Sequence, residues 1–142
     1  MDTLLSRKRI ILVVEDDPLI RDFEVAALSR AGYEVLAAEN GIEGGAVFAR
    51  HFQEIDALIT DISMPGMDGL KLASFVRKIR PDLRILFASG SLANYEATLG
   101  ESMVDSTLLA KPFTSEELLH ELTRMLEDRP PALPSASAPA QV

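Results

Sequence analysis

The sequence contains no cysteine and only two histidines. Without cysteine there can be no disulfide, no thiolate nucleophile and no cysteine-ligated zinc or iron–sulfur site. The two histidines, His51 and His120, cannot form a zinc site by themselves. These absences exclude thiol enzymes, disulfide-stapled domains and cysteine-type metalloproteins.

Positive charge and long apolar stretches are also scarce. Lysine and arginine total 14 against 22 acidic residues, so the formal net charge is -8 and the pI is about 4.7. Such a negative surface repels nucleic-acid phosphates and anionic lipid head groups, and we expect no direct binding to nucleic acid or membrane. Apolar strings such as Ile10–Val14 are far shorter than the ~20 residues that span a bilayer. Polar residues within the first nine positions are not typical of a signal peptide, so we expect a soluble, cytoplasmic protein.

Length and composition indicate one globular domain. The chain has 142 residues, of which 47% are hydrophobic, and both values are ordinary for a domain with a single core. We expect an N-terminal extension over 1–8, the folded domain over 9–128 and a disordered tail over 129–142. The tail is rich in proline, alanine and serine, and such a segment buries too little apolar surface to offset the entropy lost on ordering.

Short apolar runs alternate with helical patterns along the domain. The runs predict strands over 9–14, 33–38, 56–60, 84–89 and 107–110. Four of them are nearly continuous in apolar residues, which is typical of strands covered by helices on both faces. The alternation therefore predicts an α/β fold, a doubly wound five-stranded parallel sheet with right-handed crossovers and helices on both faces.

The first two helical patterns differ in strength. The first begins at Pro18 and ends at Gly32, and its predicted buried face consists of Ile20, Phe23, Ala27 and Ala31. The second, over 41–51, is weaker because the Gly44-Gly45 pair costs about 2 kcal/mol relative to alanine.

The later helical patterns have clear ends. The third stops before Pro81, because proline cannot continue a helix. The last begins with a predicted capping box in which Thr114 is the N-cap and Glu117 stands three residues on. Segment 92–101 predicts a short helix at best.

Polar residues stand where four of the predicted strands end. The acidic run 15–17 follows the first strand, Asp61 follows the third, Ser89 ends the fourth and Lys111 follows the fifth. The carboxyl ends of parallel strands meet at one edge of a sheet, and such sheets bind ligands where the strand order reverses. We therefore expect these side chains to converge on one site.

The residue types at these strand ends suit a phosphoryl group. Crowded carboxylates repel one another unless a cation lies among them, and Mg²⁺ prefers oxygen ligands. Lys111 is a point charge for a phosphoryl oxygen, the Ser89 hydroxyl is a donor, and Asp61 is a candidate nucleophile that would form an aspartyl phosphate. Each of these residues alone could have a simpler role: the acidic run could complement a helix dipole, Asp61 and Ser89 could belong to turns, and Lys111 could be a surface residue. The prediction therefore depends on finding residues suited to a phosphoryl group at all four strand ends.

Four segments resemble the receiver domain of two-component response regulators. The string Asp61-x-x-Met64-Pro65-x-Met67-Asp68-Gly69 and the string Lys111-Pro112-Phe113 are the most specific. The four matching segments, which fall within a resemblance covering about 9–127, are 11–18, 58–69, 85–90 and 110–113.

The resemblance implies a flavodoxin-like fold with strand order 2-1-3-4-5 and a phosphoryl group accepted by Asp61. The implied donor is a phosphohistidine on a sensor histidine kinase or phosphotransfer protein. Asp16 and Asp61 would ligate Mg²⁺ through their side chains, Glu15 would act directly or through water, and Ser63 would contribute its backbone carbonyl.

Other positions match the family or depart from it. By resemblance, Lys111 is the phosphate-binding lysine, Ser89 supplies the switch hydroxyl and the peptide before Pro112 is expected to be cis. Leu108 stands where the family usually has an aromatic residue that swings inward on activation. We therefore expect switching to involve reordering of residues 90–105.

The leading hypothesis is a stand-alone receiver that catalyses only its own phosphotransfer and dephosphorylation and signals through an unidentified downstream protein or a homodimer. A magnesium phosphohydrolase of the haloacid-dehalogenase type is disfavoured, because Ser63 stands where a second catalytic aspartate is needed. A flavin protein is disfavoured because the acidic run 15–17 would repel the flavin phosphate. A pseudo-receiver, a phosphorylation-independent protein-interaction module, remains the alternative because of Leu108.

Overall fold

A computed structural model describes residues 7–90 and 106–127 of the chain. Five strands pair in parallel in the order β2-β1-β3-β4-β5. The elements in chain order are β1 (Ile10–Val14), α1 (Pro18–Arg30), β2 (Glu34–Ala38), α2 (Gly41–His51), β3 (Ile55–Asp61), α3 (Gly69–Ile79), β4 (Arg84–Ser89), β5 (Ser106–Ala110) and α4 (Ser115–Leu126). The strand order and the parallel pairing confirm the predicted fold class.

The sheet has a hydrophobic core on each face. Successive residues of a strand point to opposite faces, so neighbouring residues of β1 enter different cores. One core lies under α1 and α4 and includes Ile11, Val13, Ala27, Leu28 and Leu122. The other lies under α2 and α3 and includes Leu12, Val14, Phe48, Leu72 and Val76. Burial from both sides explains why every residue of β3 is buried and why its sequence does not alternate.

Each described helix begins at a capping side chain. The capping residues accept hydrogen bonds from first-turn backbone N–H groups, and they are Asp17, Asn40, Asp68 and Thr114. The predicted capping box is confirmed, with Glu117 N–H donating to Thr114 Oγ1 at 3.0 Å and Thr114 N–H donating to Glu117 Oε1 at 2.9 Å. Among helices within the described residues, none is both long and apolar enough to cross a membrane.

Predicted and observed elements agree closely where both exist. The predicted strand ends fall within one residue of the observed ends, and the predicted second helix coincides with Gly41–His51. The predicted short helix over 92–101, the tail over 129–142 and most of the extension over 1–8 lie outside the described residues.

The predicted buried face of α1 is wrong in part. Phe23 is 39% exposed and Ala31 is exposed, whereas Glu24 is buried. Phe23 lies at the edge of the helix interface, where its ring centroid is 6.1 Å from that of Phe113 just before α4. The helix is therefore rotated relative to the predicted face, and its buried residues are Glu24, Ala27 and Leu28.

Close packing explains the glycine pair within α2. A Cβ atom added at Gly44 would lie 2.7 Å from Val14 Cγ2, well inside van der Waals contact. Val14 is buried in the sheet and its β-branched side chain has few alternative rotamers. Glycine at this position lets α2 lie directly on β1, so tertiary packing compensates for the low helix propensity.

Replacing Gly44 with alanine should therefore destabilise the fold although alanine favours helices. We expect a loss of about 1–3 kcal/mol, because the methyl group overpacks the α2–β1 contact. Urea unfolding would measure it. The double variant Gly44→Ala/Val14→Ala should lose less stability than the two single variants lose in sum, because the smaller side chain at position 14 removes the clash. We expect this difference, the coupling energy, to exceed about 0.5 kcal/mol. Strictly additive losses would contradict the steric explanation.

Candidate functional site

Three carboxylates meet at the carboxyl edge of the sheet. Glu15 and Asp16 directly follow β1, and Asp61 is the last residue of β3. One side-chain oxygen from each of the three residues lies within 4.8 Å of the others. The predicted convergence is thus observed for Glu15, Asp16 and Asp61, which we name the acidic cluster.

The third acidic residue after β1 has a different role. Asp17 caps α1, because its Oδ1 accepts a hydrogen bond from Leu19 N–H at 2.9 Å. Its own backbone N–H donates to Glu15 Oε2 at 3.1 Å. Asp17 therefore holds the helix start and orients Glu15, and it stands outside the acidic cluster.

Lys111 reaches into the acidic cluster from the loop after β5. Its Nζ lies 3.1 Å from Glu15 Oε1 and 3.2 Å from Asp61 Oδ1. Its backbone N–H donates to the Ser89 carbonyl at 2.9 Å, and the Lys111–Pro112 peptide is cis, as the resemblance implied. One ammonium group therefore bridges two carboxylates that come from different strands.

Burial controls the electrostatics of the acidic cluster. Glu15 is 1% exposed and Asp61 is 8% exposed, whereas Asp16 faces solvent. Burial raises the pKa of both Glu15 and Asp61, although the charge of Lys111 opposes the rise. Burial lowers the pKa of Lys111, but the charges of Asp61 and Glu15 outweigh that effect and leave its pKa raised.

The acidic cluster therefore has the composition of a cation site. Three carboxylates lie together, and one ammonium group contacts two of them, so negative charge is in excess. The donors are carboxylate oxygens, which Mg²⁺ prefers, and the exposed Asp16 leaves one side open for water or a ligand. These residues fit a divalent metal ion.

Two predicted serines lie at the same edge of the sheet. Ser89 is the last residue of β4 and is buried, and it follows Ala88, the register partner of Asp61. The Ile62 N–H donates to the Ala88 carbonyl at 3.0 Å, which extends the pairing past Asp61. Ser63 follows on the exposed loop.

A close backbone approach holds the loop after Asp61. Gly69 N–H donates to the Ile62 carbonyl at 2.8 Å, so the start of α3 folds back against the end of β3. A Cβ atom at Gly69 would collide with the Asp61 carbonyl oxygen. Position 69 therefore requires glycine because it lies against the Asp61 backbone, and the sequence motif alone does not reveal this reason.

Two residues near the acidic cluster were not predicted from the sequence. Arg21 Nη1 donates to the Glu15 carbonyl at 2.8 Å and ties α1 to the loop after β1. Glu24 is 1% exposed, and its Oε1 has no hydrogen-bond partner. A signal for Glu24 was available, since it lies four residues after Ile20 and three before Ala27 on the inner face of α1.

The family model of the response regulator receiver domain matches residues 11–123. The chain belongs to this family. Receiver domains are signalling modules of two-component systems that interact with histidine kinases or phosphotransfer proteins, and they are not conventional enzymes.

Relatives of this receiver domain include a small protein and part of a large one. CpdR, a response regulator receiver protein of Brucella abortus (strain 2308), is 39% identical over 117 residues, which cover 82% of this chain and 95% of CpdR. Sensor kinase CckA of the same organism is 34% identical over 125 residues, or 88% of this chain but 13% of the kinase. The receiver domain thus corresponds to nearly all of one relative and to a small part of the other.

A solved structure shows the same architecture. The response regulator TrrA of Thermotoga maritima, in complex with Mg²⁺–BeF, superposes on this receiver domain with a TM-score of 0.70 and 34% identity. The match covers 83% of this chain and 99% of TrrA. The likeness extends over almost the whole of the described fold.

Leu108, which by resemblance stands in place of an aromatic residue, lies within the described sheet. It lies on β5, pairs in register with Phe87 and packs against the core under α2 and α3. The Leu108 side chain is partly buried there. The expected reordering of residues 90–105 falls on a segment of which all but residue 90 lies outside the described residues.

Proposed function

We propose that this receiver domain is a phosphorylation-controlled switch in which Asp61 accepts a phosphoryl group with Mg²⁺ present. The supporting observation is the bridge from Lys111 Nζ to Asp61 Oδ1 and Glu15 Oε1 within the acidic cluster. Phosphoryl transfer is catalysed mainly by positioning and by charge neutralisation. Asp61 supplies the attacking oxygen, and Lys111 supplies positive charge beside it.

The donor in the proposed transfer is a phosphohistidine on a sensor histidine kinase or phosphotransfer protein. An Asp61 carboxylate oxygen forms a bond to phosphorus while the phosphorus–nitrogen bond of the donor breaks. The departing imidazole nitrogen keeps the bonding electron pair, and Asp61 becomes an acyl phosphate. The Lys111 ammonium and the Ser89 hydroxyl bind phosphoryl oxygens. Water later hydrolyses the acyl phosphate and resets the switch.

Glu15, Asp16 and Asp61 would hold Mg²⁺ together with the backbone carbonyl of Ser63. When bound, the ion supplies positive charge that offsets the crowded carboxylates and the phosphoryl oxygens. The chain prepares this set through Asp17, whose backbone N–H fixes one Glu15 oxygen at 3.1 Å. The related protein TrrA is in complex with Mg²⁺–BeF in its solved structure, which supports a Mg²⁺ site in this receiver domain.

The proposed switch acts through other proteins. We assign the receiver domain to residues 9–128, with 1–8 and 129–142 as flanking segments. Its output is a changed binding face that an unidentified downstream protein, or a second copy of the chain, recognises.

A second candidate is a phosphorylation-independent interaction module. Leu108 favours it, because an aliphatic side chain at this position cannot perform the aromatic rotamer change that is usual in the family. The complete set of Asp61, Ser89 and Lys111 favours the switch instead, since an interaction module has no need of a phosphoryl site.

Intact-mass measurement after incubation with acetyl phosphate and Mg²⁺ tests the proposal. We expect one phosphoryl adduct per chain, formed because the acidic cluster positions Asp61, and we expect peptide mapping to place it on Asp61. Excess EDTA should prevent its formation, and adding Mg²⁺ beyond the chelator should restore it. A chain that gains no adduct in Mg²⁺ would favour the interaction module, and an adduct insensitive to EDTA would contradict the metal requirement.

A further inference from the structure

Glu24 on α1 has no role in the proposed transfer, yet its position is unusual for a carboxyl group. The residue is 1% exposed, and its Oε1 is buried without a hydrogen-bond partner. A buried carboxylate without a partner is strongly disfavoured, so such a group retains its proton or acts together with nearby charges. Glu24 lies one helical turn before Leu28, which is part of the core, and one turn after Ile20.

Glu24 is buried on the inner face of α1 with Ala27 and Leu28, which pack with Val13 in the core under α1 and α4. Glu15 follows Val13 by two residues and so lies on the same side of the sheet, and Arg21, one turn before Glu24, donates from Nη1 to the Glu15 carbonyl at 2.8 Å. Glu24 and Glu15 therefore share the α1 side of the sheet, and the Glu24 Oε1 accepts no hydrogen bond from the acidic cluster.

The charges that act on the pKa of Glu24 are those of the proposed phosphoryl site. Among the described residues they are Glu15 after β1, Asp61 at the end of β3 and Lys111 in the loop after β5.

We propose that Glu24 is a fourth carboxyl group of this site, one that holds a proton while the acidic cluster is free of metal and holds it less tightly when Mg²⁺ binds. In this role Glu24 does not ligate Mg²⁺. It is a positioning residue whose charge affects how strongly the metal ligands bind Mg²⁺. The inference rests on the proposed Mg²⁺ site.

The physical basis is the linkage of two binding equilibria. The pKa of Glu24 is raised to about 8, first by burial and then by the negative charge of Glu15; Asp61 adds to the rise and Lys111 opposes it. A divalent cation bound by Glu15 and Asp61 cancels much of that negative charge, so the pKa of Glu24 should fall. By reciprocity, removing the proton from Glu24 must strengthen Mg²⁺ binding by the same factor.

The test compares the full chain with Glu24→Gln, which keeps a side chain of similar shape but cannot ionise. Carbon-13 NMR of glutamate-labelled protein follows the Glu24 carboxyl, which is assigned by the signal missing in E24Q. We expect its titration midpoint to fall by about half a pH unit when Mg²⁺ saturates the protein, equivalent to about threefold in affinity. Calorimetric titration should then show Mg²⁺ binding two- to threefold tighter at about pH 8.5 than at about pH 6.5 in the wild type.

The variants separate this inference from simpler explanations. E24Q should bind Mg²⁺ with nearly equal affinity at both pH values, and Glu24→Leu should behave likewise if glutamine disturbs the fold. Glu34→Gln, at an exposed position on β2, is the matched control and should keep the wild-type pH dependence. A Glu24 midpoint that Mg²⁺ does not move, or an E24Q protein with the wild-type pH dependence, would overturn the inference while leaving the Mg²⁺ site intact. Absence of Mg²⁺ binding at both pH values would overturn the proposed site, and this inference with it.

Discussion

Replacing Asp61 with asparagine is expected to abolish the phosphoryl adduct completely. The amide has nearly the shape of the carboxylate but lacks the anionic oxygen that attacks phosphorus, so no acyl phosphate can form. The fold should persist, because the change removes one of the crowded charges of the acidic cluster and Asp61 is buried at a cost. Intact-mass measurement after treatment with acetyl phosphate and Mg²⁺ gives the result directly.

The chain offers a matched control on the same strand. Asp56 is 7% exposed and lies at the opposite end of β3, where its Oδ2 accepts a hydrogen bond from Ile10 N–H at 2.8 Å. Asp56→Asn keeps an acceptor for that hydrogen bond and leaves the carboxyl edge of the sheet untouched, so it should retain the full adduct. An Asp61→Asn protein that gains as much adduct as Asp56→Asn would show that another residue is the acceptor.

Replacing Glu24 with leucine is expected to stabilise the protein strongly near neutral pH and above. The pKa of Glu24 is about 8 in the folded protein and 4.5 for an unperturbed group, so the folded state binds more protons between these values. The contribution of Glu24 is most favourable below pH 4.5, declines as the unfolded chain ionises, and is fully lost once the pH passes about 8. The leucine variant has no ionisable group at this position and avoids this loss, so we expect a gain of about 4 kcal/mol at pH 8.

Urea unfolding across this pH range tests the expectation. The stability difference between the wild type and Glu24→Leu should be small near pH 4.5, grow with pH and level off above about 8. Glu24→Gln is the second comparison, because it leaves a buried amide whose cost does not depend on pH. The difference in unfolding free energy from the wild type should change with pH by the same amount in both variants, even where its absolute size differs between them. Differences that stay constant with pH would mean that Glu24 ionises normally in the folded state.

Local features of the sequence account for the elements and for most of the site. The capping box joins Thr114 and Glu117, which are only three residues apart, so a few neighbouring residues determine where α4 begins. Strands buried on both faces need apolar residues at every position, which made β3 and β4 visible in the sequence. Because the carboxyl ends of parallel strands share one edge, the approach of Asp61 and Lys111 also follows from the order of the elements.

Other features depended on how separate elements meet. An acidic run after β1 does not reveal that Asp17 turns to the helix while Asp16 joins the acidic cluster, because both lie at the same boundary. Gly44 lowers helix propensity locally and is explained only by the proximity of Val14 on β1. Gly69 is likewise explained only by the close approach of the Asp61 backbone carbonyl across the loop.

The sequence by itself determined the strand and helix boundaries, the family and the group of residues at the carboxyl edge, since each depends on neighbours in the chain or on the parallel topology. Only the tertiary structure decided the rotation of α1, which exposes Phe23 and buries Glu24 behind the acidic cluster. Adjacent residues of a helix point about 100° apart, so a small rotation exchanges an inward side chain for an outward one. That rotation is set by the contacts of α1 with β1, β2 and α4, and periodicity within a single segment carries no information about them.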